Sequence, residues 1–360
     1  MVIIRRFRTR YWKVSPFAPD PAAIRQAASI VAGGGVVAFP TETVYGLGAD
    51  TLNPLAVGKI FTAKGRPVDN PLIVHVAELR QVWDIVLDFP AAARLLAANF
   101  WPGPLTLVLP KRSTVPDAVT GGLDTVAVRM PRHRVALDLI KKSGCSIAAP
   151  SANLSGKPSP TTARHVLRDL YGRVDGIIDG GPAVVGLEST VLDLTGPKPL
   201  ILRPGGVTRE QLEREIGPVD VETQGEREGA KLAPRSPGMK YRHYSPEGNV
   251  ILIHGERGRV VSRICELAAE WNGRGQRVAV LCSRETYSLY SKGTCSYDYL
   301  ENIGSQYNLD DVARNLYGAL HTCDQKEIDI ILIEVFPATG LGAAIMNRLQ
   351  KAAGSIMEII

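Results

Sequence analysis

The stretch VVAFPTETVYGLG, residues 36–48, combines a short strand-like run with the hydroxyl, carboxyl and glycine residues that follow it. Val36–Phe39 is apolar and mostly β-branched or aromatic, which is typical of a buried strand. Pro40–Gly48 then predicts a polar turn whose glycines let the backbone approach a polar ligand closely. A capped, glycine-rich turn without a ligand explains this segment equally well.

Outward from this stretch, short buried strands alternate with segments of helical periodicity. On the amino-terminal side, Asp20 is the predicted N-cap of a helix with Pro21 at its first position. On the other side, strands outnumber helices up to about Gly217, which favours a mixed twisted sheet over a regular alternation of parallel strands and helices. The predicted strands there are Leu72–Val76, Leu105–Leu109, Val126–Arg129, Ser146–Ala149, Gly176–Ile178, Thr190–Leu194 and Leu200–Leu202.

The carboxyl-terminal third of the chain has a different organisation. Periodicity is lost between about Gly217 and Asn249, where glycine, proline and charged residues dominate. Strands and helices then alternate, which predicts a small Rossmann-like α/β domain, although no G-x-G-x-x-G follows its first strand and no dinucleotide site is inferred. The predicted parts are a first domain at 15–217, a linker at 218–248 and a second domain at 249–360.

The composition is that of an ordinary globular protein, with 45% hydrophobic and 22% charged residues. No apolar run approaches the ~20 residues of a membrane span, and no secretory signal is evident, so we expect a cytoplasmic protein without a membrane partner. The five cysteines lack the paired spacing of a zinc site and are expected to be reduced. The net charge of +6 fits contact with polyanions such as ATP or RNA. The basic residues within the first thirteen positions are predicted to form a frayed terminus rather than an RNA-binding arm.

Polar and basic side chains recur at the ends of predicted strands and helices in the first domain. Lys64 and Arg66 form a pair of cations that suits phosphate oxygens, with a solvated helix end as the alternative. Ser151 and Asn153 follow a strand, and Arg203 ends another. The sequence contains no Walker A, H-E-x-x-H or G-x-S-x-G motif and no evident nucleophile–base pair. This surface is therefore predicted to bind and position its ligands rather than to attack them.

In these residues the sequence resembles the threonylcarbamoyl-AMP synthase family, in the long form that adds a second domain to a YrdC-like domain. The matching segments occur in the family's order and are Pro40–Gly48, Lys64 with Arg66, Ser151 with Asn153, Glu188–Val191 and Arg203–Gly206. The segments Ser236–Pro246 and Gly340–Leu349 resemble sequences of the long form alone. The fold that the family implies is a YrdC-like mixed twisted sheet with an open, concave, positively lined cavity.

The resemblance also implies a reaction. It is the condensation of L-threonine, bicarbonate or carbon dioxide, and ATP to threonylcarbamoyl-AMP and pyrophosphate, which makes the protein a nucleotidyltransferase. The product would pass to a tRNA threonylcarbamoyl transferase complex that modifies the adenosine next to the anticodon. Mg²⁺ is expected to arrive with ATP on its phosphate oxygens, because no carboxylate cage for a metal is visible in the sequence.

Two sets of binding residues follow from the resemblance. L-threonine would be held by Thr43, His75, Arg129, the backbone of Ala149 and Ser189, with Arg129 meeting its carboxylate. ATP would lie along Lys64, Arg66, Asn70, Thr125, Ser151, Asn153, Ser159, Arg203 and Tyr241. Lys64 and Arg66 would act in catalysis by sharing the developing negative charge. Tyr241 would make the linker a lid over the nucleotide.

Two other functions remain open at this point. An RNA-binding module is favoured by the basic charge balance, and salt-dependent binding of RNA without nucleotide turnover would support it. A carbamoyl-handling domain of the hydrogenase-maturation type has the same YrdC-like fold, but its accompanying zinc-finger cysteines and acylphosphatase segment are missing from this sequence. We rank both below the synthase, for which a weak contact with RNA is a further expectation.

Overall fold

The computed structural model describes residues 8–222, 244–293 and 295–358, with side chains up to residue 353. The chain divides into two compact units. The first unit begins at the amino terminus, and the second holds the carboxyl-terminal residues together with the short segments 156–158 and 185–187. The domain boundaries from the sequence stay a prediction, since residues 223–243 lie outside the described ranges.

A mixed sheet organises the first unit. Its strands are β1 (Arg10–Lys13), β2 (Val37–Phe39), β3 (Gly46–Asp50), β4 (Ile73–His75), β5 (Leu105–Pro110), β6 (Thr125–Arg129), β7 (Ile147–Ala149), β8 (Gly176–Asp179), β9 (Thr190–Asp193), β10 (Leu200–Arg203) and β11 (Asp220–Val221). They lie in the order β1-β8-β2-β3-β7-β4-β6-β5-β9-β10-β11. Strand β6 is parallel to β4 and antiparallel to β5, so the predicted mixed sheet is confirmed.

Helices pack against this sheet, and their buried side chains belong to two apolar clusters. They are α1 (Pro21–Ala32), α2 (Pro54–Lys64), α3 (Ala91–Phe100), α4 (Asp117–Thr120), α5 (Arg134–Ser143), α6 (Ala163–Leu170) and α7 (Arg209–Ile216), with a short 3-10 helix at Leu79–Val82. Helix α1 begins as predicted, because Asp20 accepts the N–H of Ala22 and Pro21 takes the first position. Helices α1 and α5 share one cluster. Helices α2, α3 and α6 belong to the larger one.

Strand β3 differs from the sequence-based prediction of a turn. It pairs antiparallel with β2, and its glycines face packed side chains. A Cβ on Gly48 would lie 2.4 Å from Cγ2 of Ile147 and 2.7 Å from the ring of Phe39. The interpretation of Gly48 as a site of ligand approach is therefore wrong, because the missing side chain makes room for neighbouring strands.

The amino-terminal segment also differs from its prediction. Arg10–Lys13 forms strand β1, which pairs in parallel with β8. The indole N–H of Trp12 donates to Oε1 of Gln26 at 3.0 Å. A Cβ on Gly176 would lie 2.5 Å from the Trp12 ring, so that glycine makes room for the indole. A frayed terminus is wrong for these residues, and residues 1–7 lie outside the described part of the chain.

A parallel sheet organises the second unit. Its described strands are β12 (Asn249–His254), β13 (Val278–Ser283), β14 (Tyr299–Gly304), β15 (Ile330–Glu334) and β16 (Ala353–Glu358), in the order β14-β13-β15-β12-β16. Its helices are α8 (Arg257–Gly273), α9 (Arg284–Ser291), α10 (Leu309–Gln325) and α11 (Leu341–Ala352). The Rossmann-like α/β class is confirmed, with one difference in detail. The fourth strand, β15, lies between the first two, whereas the Rossmann order keeps those two adjacent.

The cysteines are free thiols, as expected from their spacing. Burial raises the pKa of Cys282 above its ordinary value, as does the nearby Glu334 carboxylate, so the thiol stays protonated and unreactive. Of the helices in the described ranges, none is both long and apolar enough to cross a membrane.

Candidate active site

The residues predicted to bind L-threonine include three on one face of the first sheet. His75 and Arg129 are register partners on β4 and β6, and Ala149 on β7 pairs with Ile73 on β4. Side chains alternate along a strand, and paired positions share a face, so these residues project from the same side. A small apolar cluster that includes Ile73 and Ala127 lies on that side too. The sequence predicts that polar site residues lie at strand ends, and the structure shows that these three also lie on one face of the sheet.

Arg129 is the centre of a buried polar network. Its Nε donates to the carbonyl of Gly103 at 3.1 Å, and its Nη1 donates to Oγ1 of Thr43 at 2.9 Å. Its Nη2 lies 2.7 Å from Oε2 of Glu42. Arginine has five N–H donors, and Nη2 makes no hydrogen bond within the described residues, so its N–H groups remain for a ligand. The guanidinium is fixed in place and can still bind a carboxylate.

His75 is held as a neutral imidazole beside this network. Its side chain is buried, and its Nδ1 lies 3.0 Å from the carbonyl oxygen of Ile73. Burial, together with the charge of Arg129, lowers the pKa of His75 to about 3. At neutral pH, Nδ1 donates its proton to the carbonyl, and Nε2 is an acceptor. The ring can therefore accept a hydrogen bond from an ammonium or hydroxyl group.

A second polar cluster brings the two predicted binding sets into contact. Nη2 of Arg203 donates to the carbonyl of Ser189 at 3.0 Å, and the Ser189 hydroxyl lies 2.8 Å from Oγ1 of Thr106. The hydroxyl of Ser159 donates to Oε1 of Glu188 at 2.5 Å. Ser189 belongs to the threonine set and Arg203 to the ATP set. The two sets therefore meet at this contact.

Lys64 lies at the end of α2 and is fully enclosed. Its Nζ donates to the carbonyl oxygens of Ser151 and Asn153 at 2.6 and 2.5 Å. The Ser151 hydroxyl donates to Oδ1 of Asn153 at 2.5 Å. Burial, and then the charge of Arg66, hold the pKa of Lys64 well below its ordinary value. A solvated helix end is therefore wrong for this pair of cations, since both side chains are buried.

Arg66 packs against the loop that follows it. Its Nη2 donates to the carbonyl of Pro71 at 3.0 Å, and its Nε donates to that of Asn70 at 3.3 Å. The side-chain amide of Asn70 is buried and has no hydrogen-bond partner within the described residues. A buried amide without partners costs free energy that a polar ligand would remove. Thr125, half-buried at the start of β6, shares a face with Arg129.

Two buried carboxylates belong to the site although they are not among the predicted binding residues. Glu42 is paired with Arg129, and Glu188 accepts from Ser159. Each stands next to a hydroxyl residue in a strand-flanking motif, TET at 41–43 and EST at 188–190. That context is a usable signal, because an acidic residue within a buried polar motif needs a partner there.

Parts of the predicted site fall outside the described residues. Tyr241 lies there, as does most of the predicted lid Ser236–Pro246. Their roles stay predictions. In the ranges that are described, no group of three or more His, Cys, Asp or Glu side chains is arranged to hold a metal ion.

The fold and the site together define a class, a two-unit α/β protein whose first unit contains a network of buried polar and charged side chains. A family model described as "Telomere recombination" matches residues 29–205, and one described as "Threonylcarbamoyl-AMP synthase, C-terminal domain" matches residues 207–354. The threonylcarbamoyl-AMP synthases of Pyrococcus abyssi and Bacillus subtilis are 48% and 49% identical to this chain, covering 98% and 96% of it and 98% of each relative.

A solved structure gives the same relationship in three dimensions. The crystal structure of P. abyssi Sua5 complexed with L-threonine matches with a TM-score of 0.91 at 47% identity, over 98% of this chain and 100% of the other. The chain belongs to the threonylcarbamoyl-AMP synthase family.

Proposed function

We propose that this chain condenses L-threonine, bicarbonate or carbon dioxide, and ATP to threonylcarbamoyl-AMP and pyrophosphate. The observation that carries this proposal is the buried guanidinium of Arg129, which Gly103 and Thr43 hold in place and which can bind a carboxylate. Full-length similarity to threonylcarbamoyl-AMP synthases supports the same reaction. The product passes to a tRNA threonylcarbamoyl transferase complex and serves the modification of adenosine in tRNA.

L-threonine binds on the sheet face described above. Its carboxylate takes N–H groups of Arg129 that make no hydrogen bond within the protein, and Glu42 and Thr43 hold the orientation of the guanidinium. Nε2 of His75 accepts a hydrogen bond from the ammonium or the hydroxyl group of threonine. The backbone of Ala149 and the hydroxyl of Ser189 complete the contacts.

ATP binds along the predicted ATP set, and the reaction is an adenylyl transfer. The threonine amine attacks the carbon of carbon dioxide and loses a proton, which gives a carbamate. A carbamate oxygen then attacks the α-phosphorus of ATP, the bond to the bridging oxygen breaks, and pyrophosphate leaves. Lys64, Arg66 and Arg203 stabilise the negative charge that develops on phosphate oxygens. The chain is thereby a nucleotidyltransferase that forms no covalent bond with its substrate.

Magnesium enters with the nucleotide. The carboxylates of the site are engaged within the protein, Glu42 with Arg129 and Glu188 with Ser159. These two carboxylates are therefore not arranged as metal ligands. The phosphate oxygens of ATP would bind Mg²⁺ instead, because the ion prefers oxygen ligands. The ion neutralises phosphate charge when it is bound.

The experiment that tests adenylyl transfer uses ATP labelled at the α-phosphate, with L-threonine, bicarbonate and Mg²⁺. We expect the label in a product that also contains threonine, with unlabelled pyrophosphate as the leaving group. Formation of ADP and inorganic phosphate would mean attack at the γ-phosphate and would contradict the proposal.

A further inference from the structure

The second sheet contains a crevice where the chain leaves two neighbouring strands in opposite directions. Strand β12 connects through α8 to β13, whereas β15 connects through α11 to β16 on the other side. Because crossovers between parallel strands are right-handed, the two connections lie on opposite faces of the sheet. The loops that follow β12 and β15 therefore run to opposite faces from the carboxyl ends of these two strands. Open α/β sheets bind ligands at such points.

A cavity of about 560 Å³ lies at this place, within the usual size range of small-molecule sites. Its apolar wall includes Val260 of α8, Phe336 after β15 and Met346 of α11. Its polar lining includes Arg257 and Glu334. The cavity therefore combines an apolar surface with the carboxylate of Glu334, the guanidinium of Arg257 and the imidazole of His254.

One glycine of the long-form segment Gly340–Leu349 shapes this cavity. A Cβ on Gly342 would lie 1.7 Å from the carbonyl oxygen of Pro337, so the first turn of α11 and the loop after β15 can touch only with glycine there. This close approach brings Met346 into the cavity wall. The segment thus contributes to a cavity in the second unit.

Glu334, at the end of β15, is buried and lines the cavity. Its Oε2 accepts the backbone N–H of Ser283, and its Oε1 accepts the hydroxyl of Tyr290, both at 2.9 Å. Burial, and then the Glu334 charge, raise the pKa of Tyr290, which keeps that hydroxyl a donor. Two donors suit the oxygens of a carboxylate, which accept hydrogen bonds. Within the described residues, no Lys, Arg or His nitrogen forms an ion pair with Glu334.

A buried carboxylate without a cation is costly, so the group calls for a positively charged ligand. The turn before α8 does not offer a phosphate site. There Glu256 accepts the backbone N–H groups of Gly258 and Arg259 at 3.2 and 3.3 Å, at the position where a nucleotide-binding turn holds phosphate. The carboxylate of Glu256 therefore occupies the backbone donors that a phosphate group would need.

Arg257 supplies a positive charge in the same cavity. Its side chain is exposed, and its Nη2 donates to the carbonyl of Glu285, which holds the guanidinium beside α9. The cavity thus pairs an acidic group inside with a basic group on its exposed side. We propose that this cavity binds a free α-amino acid with a large apolar side chain, its ammonium on Glu334, its carboxylate on Arg257 and its side chain against Phe336 and Met346.

The test measures binding of three probes to the full chain by calorimetry, with L-threonine in excess to fill the first unit's site. The probes are L-phenylalanine, 2-phenylethylamine, which lacks the carboxylate, and 3-phenylpropionate, which lacks the ammonium. We expect L-phenylalanine to bind once per chain, 2-phenylethylamine more weakly, and 3-phenylpropionate not at all. Glu334→Gln should weaken binding of L-phenylalanine by at least about tenfold, because a charge-assisted contact is lost.

Two further variants make the result specific. Arg257→Gln, at an exposed position, should weaken the binding of L-phenylalanine and leave the affinity for 2-phenylethylamine unchanged. Glu301→Gln is the matched control, since Glu301 accepts from Tyr299 in the same unit and does not line the cavity. The proposal would be overturned if L-phenylalanine showed no saturable binding or if 3-phenylpropionate bound with the same affinity. It would also be overturned if adenosine bound to this cavity more tightly than L-phenylalanine. So would unchanged binding in a folded Glu334→Gln variant.

Discussion

At the scale of single residues, the site depends on buried charged groups whose hydrogen bonds are made before any ligand arrives. Lys64 contacts two carbonyl oxygens, and Arg129 is held by Thr43 and Glu42. Fixed donors need little rearrangement when charge develops in the transition state, which is where electrostatic stabilisation is most effective. We therefore expect substitutions of these residues to lower catalysis, and also stability where a buried partner such as Glu42 is left without its cation.

Lys64→Ala and Arg66→Ala should each lower the rate of pyrophosphate formation by at least about tenfold, or ~1.4 kcal/mol of transition-state stabilisation. The reason is the loss of a cation beside the transferred phosphate. Lys59→Ala is the matched control, because Lys59 lies on the same helix and donates to the carbonyl of Gly34. Wild-type turnover in a folded Lys64→Ala variant would remove that residue from catalysis.

His75 makes the stability of the protein depend on pH. Its folded-state pKa of about 3 lies below the ordinary value of 6.5, so the unfolded chain binds a proton between these values that the folded chain does not. The contribution of His75 to the free energy of unfolding is fully present above the ordinary pKa of 6.5. It is lost as the pH falls toward the folded-state pKa of about 3. Lowering the pH from 7 to 5 should cost about 2 kcal/mol of unfolding free energy, and His75→Asn should lack that loss. Denaturant titrations at both pH values measure it, and equal acid sensitivity of the two proteins would contradict the neutral imidazole.

At the scale of elements, the sequence is informative where a local signal agrees with packing. Helix α1 is predictable from the Asp20 cap and Pro21, and the strands around Val74 and Val128 from their apolar runs. Strand β3 is not predictable, because its glycines resemble a turn until the contact with Ile147 is known. The common face of the site residues depends on strand pairing, which no local pattern contains.

Gly48→Ala should destabilise the first unit by about 1–3 kcal/mol, because the added methyl group overlaps packed side chains of the neighbouring strands. The control is Gly58→Ala within α2, where a Cβ meets nothing within 4 Å. That substitution should stabilise the protein by about 0.5–1 kcal/mol, since alanine favours the helix. Chemical denaturation compares the two variants. Equal effects would mean that the β3 packing is not tight.

At the scale of the whole molecule, the two units have separate chemistry. Every predicted binding residue that the structure describes belongs to the first unit, and the amino-acid cavity belongs to the second. The net charge of +6 is compatible with a weak contact to RNA, but the proposed reaction uses no RNA. We therefore expect the full chain to release pyrophosphate without tRNA.

The measurement that tests the central claim most directly is pyrophosphate release by the full chain, with L-threonine, bicarbonate and ATP each left out in turn and with no tRNA present. Because a carbamate of threonine must form before ATP is attacked, we predict release only when all three are supplied. Pyrophosphate release that continues without threonine or bicarbonate would contradict the account, as would salt-sensitive RNA binding with no turnover under any combination of substrates.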